Sequence, residues 1–183
     1  MATKSDLKSI SKFLSYVLRH HPESINLELD KNGWAEVSDL IRKAQNKGKS
    51  INNTLLDEVL QQGGKRRFVL SEDGKYIRAG YGHSIDVDLQ LEPREPPEHL
   101  YHGTADRNVA SIKREGIHSA NRNFVHLSAK ESDARDVGSR HGSPVILAVN
   151  AADMHKAGHQ FYQSESEAGI WLTTTVPVEF VSE

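Results

Sequence analysis

Three of the chain's six prolines fall within ten residues, in the run QLEPREPPEH that spans positions 90–99. No helix or strand interior tolerates that density, because proline has no N–H to donate and pushes the residue before it into extended backbone. The run is therefore read as a stiff, exposed connection. It divides the 183 residues into a first half, 1–90, a linker, 91–99, and a second half, 100–183. Such halves can bury cores without covalent staples. The absence of cysteine in any case excludes disulfides and thiolate metal sites.

A composition of 37% hydrophobic and 26% charged residues is that of a folding chain rather than a disordered one. The opening MATKSDLKSI lacks the apolar centre of a signal peptide, and no apolar run approaches the ~20 residues that cross a bilayer. The expected location is the cytoplasm, with no membrane partner. A net charge of −2 gives no overall attraction to nucleic acid, so any RNA contact must come from a local basic patch.

In the first half, Leu7, Ile10, Phe13, Leu14, Val17 and Leu18 recur at three- and four-residue steps and predict an amphipathic helix. Ser5 or Asp6 is expected to cap it, and Pro22 to stop it. Ile25, Leu27 and Leu29 alternate as a short strand does, before a turn at Asp30 to Gly33. Ser38 is expected to cap a second helix ending near Gly48, and Asn52 or Asn53 to start a third ending at Gly63 and Gly64. A hairpin follows, with Phe68 to Leu70 and Tyr76 to Arg78 around Asp73 and Gly74. Helix, strand, helix, helix, hairpin is the order of a winged helix, a fold used to grip nucleic acid.

In the second half, LYHGT, FVHLS, PVILAV and IWLTT are short β-rich runs separated by helical pieces. They predict an α+β arrangement with a mostly antiparallel β core. Ser128 followed by Glu131 has the form of a capping box opening a helix toward Gly138 and Arg140.

The chain has no dinucleotide-binding Gly-x-Gly-x-x-Gly, no Walker-type loop and no His-Glu-x-x-His. Its ten histidines are scattered without cysteines or spaced acidic helpers, so no metal is expected. The dense features are basic. LRHHP at 18–22 joins an arginine, which grips phosphate bidentately, to a histidine, which titrates near neutrality. KRRF at 65–68 lies where the third helix hands over to the hairpin, and GSRHG at 138–142 closes a helix between glycines. Taken singly, LRHHP also reads as cations at a helix C-terminus, KRRF as a solvated charge run, and HGT at 102–104 and VHLS at 125–128 as hydrogen-bonded strand ends.

In order, LRHHP, KRRF, YHGTA, VHLSA, VGSRHGSPVIL and GIWLTTTVPVEF resemble the KptA family of RNA 2′-phosphotransferases, bacterial relatives of the tRNA-splicing 2′-phosphotransferase. The resemblance runs from about Leu7 to Phe180. It implies an N-terminal winged-helix lobe, a C-terminal lobe of the ADP-ribosyltransferase fold, and an active site that draws on both. It also implies NAD as a consumed co-substrate, an RNA bearing a 2′-phosphate as partner, no metal, and a monomer.

The family's basic quartet maps onto Arg19, His20, Arg67 and Arg140, with Lys65 as a further phosphate contact. On the NAD side the resemblance carries over His102, Gly103 and Thr104, then His126, Leu127 and Ser128. Ile170 stands where protein-modifying ADP-ribosyltransferases keep a glutamate. The chain departs from the family at Ala168-Gly169, where Asn-Gly is usual, after a longer SESE segment. Two rival readings are weighed beside it. One is a mono-ADP-ribosyltransferase acting on protein or on nucleic-acid terminal phosphates, for which Glu165-Ser166-Glu167 offers a Glu-x-Glu. The other is a nucleic-acid-binding regulator that senses NAD or ADP-ribose.

Overall fold

The apolar stripe of the N-terminal segment does form a helix, α1, over Lys4–Arg19, and it buries Leu14, Val17 and Leu18. In the computed structural model, which describes residues 2–183, the chain is divided between two units. The first runs to Gln90 and also takes in Glu165–Glu167; the second holds Leu91–Ser164 and Ala168–Glu183. Among the described residues no helix is long and apolar enough to cross a membrane.

In the first unit, α1 begins earlier than Ser5. Thr3 is the cap: its hydroxyl accepts from the Asp6 N–H at 3.1 Å, while the Asp6 carboxylate accepts from the Thr3 N–H at 3.0 Å. This reciprocal pair satisfies two donors that a cap at Ser5 would leave open. After α1 the expected strand at Ile25 to Leu29 is absent. Pro22–Ile25 form a 3₁₀ turn, Asn26 is left-handed with φ 57°, and the Leu27 N–H bonds back to the Pro22 carbonyl at 2.9 Å. Ile25 and Leu27 are buried nonetheless, so their alternation records one-sided burial without a strand partner.

The short strand of this region is instead β1, Ala35–Glu36, which runs directly into helix α2, Val37–Asn46. Ser38 does not cap α2. The Val37 N–H donates to the Lys75 carbonyl at 2.8 Å, and the Ser38 hydroxyl turns to Glu36 at 2.7 Å. Helix α3, Asn53–Gln61, starts as expected, with the Asn52 side chain accepting from the Leu55 N–H at 2.9 Å. The hairpin also forms where expected, as β2, Phe68–Leu70, and β3, Tyr76–Ala79. Its register pairs Phe68 with Ala79 and Leu70 with Ile77, and β1 adds to the other edge of β3. The helices and this three-stranded sheet close over Leu14, Leu18, Leu40, Ile51, Leu56 and Ile77.

The second unit contains β4, Leu100–Ala105; α4, Asp106–Glu115; β5, Ile117–His118; β6, Val125–Ser128; and α5, Glu131–Ser139. These are followed by β7, Pro144–Val149; α6, Ala151–Lys156; β8, Tyr162–Gln163; β9, Ile170–Thr173; β10, Thr175–Val176; and β11, Val181–Ser182. All four β-rich runs of the sequence lie in one six-stranded sheet of order β11-β7-β4-β6-β9-β8, and each neighbouring pair is antiparallel. Leu100, Leu127, Leu147, Val149 and Trp171 cover one face with Met154 and Phe161. The fold class is α+β.

The capping box expected at Ser128 and Glu131 does not form. Ser128 is the last residue of β6, held opposite Ile170, and α5 starts two residues later from Lys130 without a side-chain cap. The strand claims Ser128 first, because sheet register fixes where its buried side chain must point.

Candidate active site

In the first unit the side chains of Arg19 and His20 meet one turn, Gly80–Ser84, that leaves β3. Arg19 is the last residue of α1 and is only 8% exposed. Its guanidinium lies 4.8 Å from the centre of the Tyr81 ring, a cation–π contact. Gly82 covers the same group. With φ +92°, an added Cβ would lie 3.0 Å from Arg19 Nε and 3.1 Å from Cζ, so this position needs glycine for both conformation and space. The Ser84 N–H donates to the Arg19 carbonyl at 3.0 Å, and the Ser84 hydroxyl meets His20 Nδ1 at 2.8 Å. At the other end of the turn, the Gly80 N–H donates to the Arg67 carbonyl at 2.9 Å.

Lys65 and Arg67, both half-buried, line a cleft of about 200 Å³ with Arg66, Ser11 and Gln62. His21, next to His20, faces elsewhere: it bonds Glu23 at 2.8 Å and packs on Tyr16. GYGHS at 80–84 carries little sign of this role in its own letters. Two glycines flanking an aromatic directly after a strand were the only signal, and the need for a positive φ at the second is invisible in composition.

His83, on the same turn, is 3% exposed, and its Nε2 has no hydrogen-bond partner among the described residues. Burial, followed by the charges of Arg19, Arg78 and His20, pushes its pKa down to about 4. The imidazole is thus neutral in the fold but titrates near 6.5 when unfolded. Below that value the unfolded chain binds a proton the native one refuses, so stability falls as pH drops from about 6.5 toward 4 and then levels off. This predicts that His83→Gln flattens the pH dependence of urea unfolding between pH 7 and 4.5 by on the order of 2 kcal/mol. An unchanged slope would show that His83 does not remain neutral in the fold.

Arg78 is also buried in this unit. It stacks over Trp34 at 4.3 Å, donates to the Asn32 carbonyl at 3.1 Å, and pairs with Glu165. Glu167 accepts from the Arg66 N–H at 3.0 Å. Both carboxylates of the Glu-x-Glu are therefore engaged in holding the first unit together.

In the second unit the NAD-side candidates fall on two faces of the sheet. Side chains alternate along a strand, and directly paired residues share a face. The pairs Tyr101↔Ser128 and Ser128↔Ile170 set Gly103, His126, Ser128 and Ile170 on one face, with His102, Thr104 and Leu127 on the other. Leu127 is 1% exposed within the apolar core, so only its backbone could serve a ligand.

Strand β4 pairs with β7 at six positions but with β6 only at Tyr101↔Ser128. Next to that single pair the His102 ring reaches sideways, with Nδ1 3.3 Å from the His126 carbonyl. Burial lowers the pKa of His102, against a smaller opposing effect of that bond, so the ring is neutral near pH 7. Its Nδ1–H then donates to the carbonyl, and Nε2 is an acceptor suited to a hydroxyl. Thr104 is buried, and its hydroxyl accepts from Asn108 at 3.2 Å.

Gly103 has a structural duty: a Cβ there would lie 1.6 Å from the Ala134 carbonyl oxygen of α5. Gly138, the glycine before Arg140, complements it, since its own added Cβ would stand 2.8 Å from the Thr104 oxygen. Arg140 caps the C-terminal end of α5 and is exposed. At Ala168-Gly169 both backbone carbonyls are engaged. The Ala168 carbonyl accepts from Gln163 at 2.8 Å, and the Gly169 carbonyl accepts from the Ala129 N–H at 2.9 Å. Among the described residues no group of three or more His, Asp or Glu side chains is arranged to hold a metal.

Residues 4–175 match the model of the family described as RNA 2′-phosphotransferase, Tpt1 / KptA family. Similar proteins named "Probable RNA 2′-phosphotransferase" occur in Escherichia coli, 50% identical over 97% of this chain and 96% of the relative, and in Acaryochloris marina, 50% identical over 97% of each. A third, from Pectobacterium atrosepticum, is 47% identical over 95% of this chain and 96% of its own length.

Proposed function

Because the chain belongs to the RNA 2′-phosphotransferase, Tpt1 / KptA family, we propose that it removes an internal 2′-phosphate from RNA by transferring that phosphate to the ADP-ribose part of NAD. The observation that carries this reading is the seat built by Gly80–Ser84 for the side chains of Arg19 and His20. A protein that needed only general affinity for nucleic acid would have no reason to bury an arginine against a tyrosine and a glycine. A terminal phosphate does, since it presents three acceptor oxygens and roughly −1.5 to −2 charges.

The first unit, with its three helices and β2–β3 hairpin, supports the winged-helix reading. The second, with its antiparallel sheet and the single pairing between β4 and β6, supports the ADP-ribosyltransferase-like one. NAD is assigned to the second unit, with the His102 Nε2 acceptor and the Thr104 strand toward its ribose. The face bearing His126, Ser128 and Ile170 is assigned to nicotinamide.

In the first step a phosphate oxygen attacks the anomeric carbon of the nicotinamide ribose. The glycosidic C–N bond breaks, and nicotinamide leaves as a neutral molecule. An anionic nucleophile and a cationic leaving base ask for orientation rather than a base, which is consistent with Ile170 in place of a carboxylate. In the second step the adjacent 2″-hydroxyl attacks phosphorus, and the RNA 2′-oxygen departs and takes up a proton. The products are 2′-OH RNA and ADP-ribose 1″,2″-cyclic phosphate. Charge grows on the phosphoryl oxygens here, and Arg19, Arg67 and Arg140 are assigned to stabilise it, with Lys65 as an outer contact. His20 is assigned to orient the phosphate and assist the departing oxygen. No metal enters either step.

The test is to incubate the protein with NAD and a short RNA carrying one internal 2′-phosphate, following phosphate loss and nicotinamide release together. The two should rise in parallel. Arg67→Ala and His20→Ala should accumulate the ADP-ribosylated RNA, because they slow the second step more than the first. Nicotinamide release that requires an added protein acceptor would point to a protein-modifying enzyme. Binding of both partners without turnover would point to a regulator.

A further inference from the structure

One residue of the Gly80–Ser84 turn contacts the candidate site by two separate bonds. Ser84 donates its backbone N–H to the carbonyl of Arg19 at 3.0 Å and meets His20 Nδ1 with its hydroxyl at 2.8 Å. The first bond fixes the Ser84 backbone against the end of α1. The second then fixes the imidazole plane relative to that backbone. We propose that Ser84 is a positioning residue, which holds His20 so that Nε2 is the nitrogen presented to the RNA phosphate as a hydrogen-bond donor. The inference rests on the phosphotransferase reading above and deepens it.

The chemistry is self-consistent in both protonation states. A phosphate oxygen only accepts, so it needs an N–H from the ring. When a neutral His20 donates to the phosphate from Nε2–H, the Ser84 O–H can turn to donate to the bare Nδ1. If His20 is cationic, Nδ1–H donates to Ser84 Oγ and Nε2 still carries its proton. A hydroxyl can reverse its role in this way, whereas a carboxylate or carbonyl at the same place would accept only, and in the neutral ring would pull the proton to Nδ1. A serine therefore suits a histidine that must donate at Nε2 whatever its charge. The neighbours act on other atoms: Tyr81 and Gly82 confine the guanidinium of Arg19, and His83 is turned toward Gly33, whose added Cβ would stand 3.6 Å from its Nε2.

Ser84 is itself exposed, so Ser84→Ala should leave thermal unfolding unchanged and test position alone. Expected are an about tenfold slower second step, an unchanged KM for NAD, and about tenfold weaker binding of 2′-phosphorylated RNA without NAD. Binding of the 2′-OH RNA should not change. Ser84→Thr, which keeps the hydroxyl, should restore the wild-type values. On a His20→Ala background, Ser84→Ala should cost nothing further, because the ring it would orient is gone. Nitrogen NMR of His20 reads the bond directly, as a changed Nδ1 resonance in Ser84→Ala. A full second-step rate in Ser84→Ala, or a loss that adds to that of His20→Ala, overturns the proposal. A wild-type protein that neither turns over nor prefers the 2′-phosphorylated RNA overturns the functional reading, and this inference with it, even if the Nδ1 resonance responds.

Discussion

Gly103→Ala should cost the second unit more than about 3 kcal/mol and prevent α5 from seating on β4. Overpacked side chains cost roughly 1–3 kcal/mol because rotamers can adjust, but the obstacle here is main chain. The new methyl carbon would stand 1.6 Å from the Ala134 carbonyl oxygen, 2.6 Å from its carbon and 2.9 Å from the Gly138 nitrogen. Relief requires the helix to withdraw by more than 1 Å, which would also pull Gly138 away from Thr104. At the ~2–4 °C per kcal/mol typical of chains this long, the thermal midpoint should fall by at least about 6–12 °C. Gly138→Ala should fall in the same direction but less, since its nearest contact is 2.8 Å. A Gly103→Ala protein that melts within 2 °C of wild type would mean that α5 does not rest on the strand.

Gly103 also shows why the site was only partly legible in the sequence. HGT at 102–104 stood out for its chemistry, yet its glycine is required by a helix thirty residues further along the chain. Amphipathic periodicity exposed α1, α3, the hairpin and the four main strands, since each buries one face and leaves a local pattern. What escaped depends on partners distant in sequence. Ile25 to Leu29 alternate correctly but meet no neighbouring strand. Ser128 and Glu131 have capping-box spacing, but Ile170 holds Ser128 in the sheet. Leu127 sits between two site candidates and turns to the core, because a strand sends alternate residues to opposite faces. The GYGHS turn offers little in its own letters. Its meaning lies in Arg19, His20 and Arg67, which reach it from 13 or more residues away in the sequence.

Arg140→Ala should lower turnover by about 10³-fold or more while leaving the fold intact. The two halves of that expectation have separate grounds. Arg140 is exposed at the end of α5, with its backbone N–H held by the Val137 carbonyl at 3.3 Å, so truncating its side chain removes no packing. Exposed substitutions of this kind usually stay within about 0.5 kcal/mol. Arginines that stabilise the transition state of phosphoryl transfer are worth 10³–10⁵ in rate, because the charge they meet grows only as the bond breaks. Lysine keeps the charge but not the planar fork, so Arg140→Lys should recover only a small part of the loss. Arg19→Ala makes an instructive contrast. Arg19 is buried against Tyr81 and Gly82, so its removal should reduce both turnover and stability. Measuring melting and single-turnover rates on the same preparations separates the two effects. If Arg140→Ala turned over within tenfold of wild type at full stability, Arg140 would have no part in the transfer, and the phosphate grip would have to be sought among Arg19, His20, Lys65 and Arg67 alone.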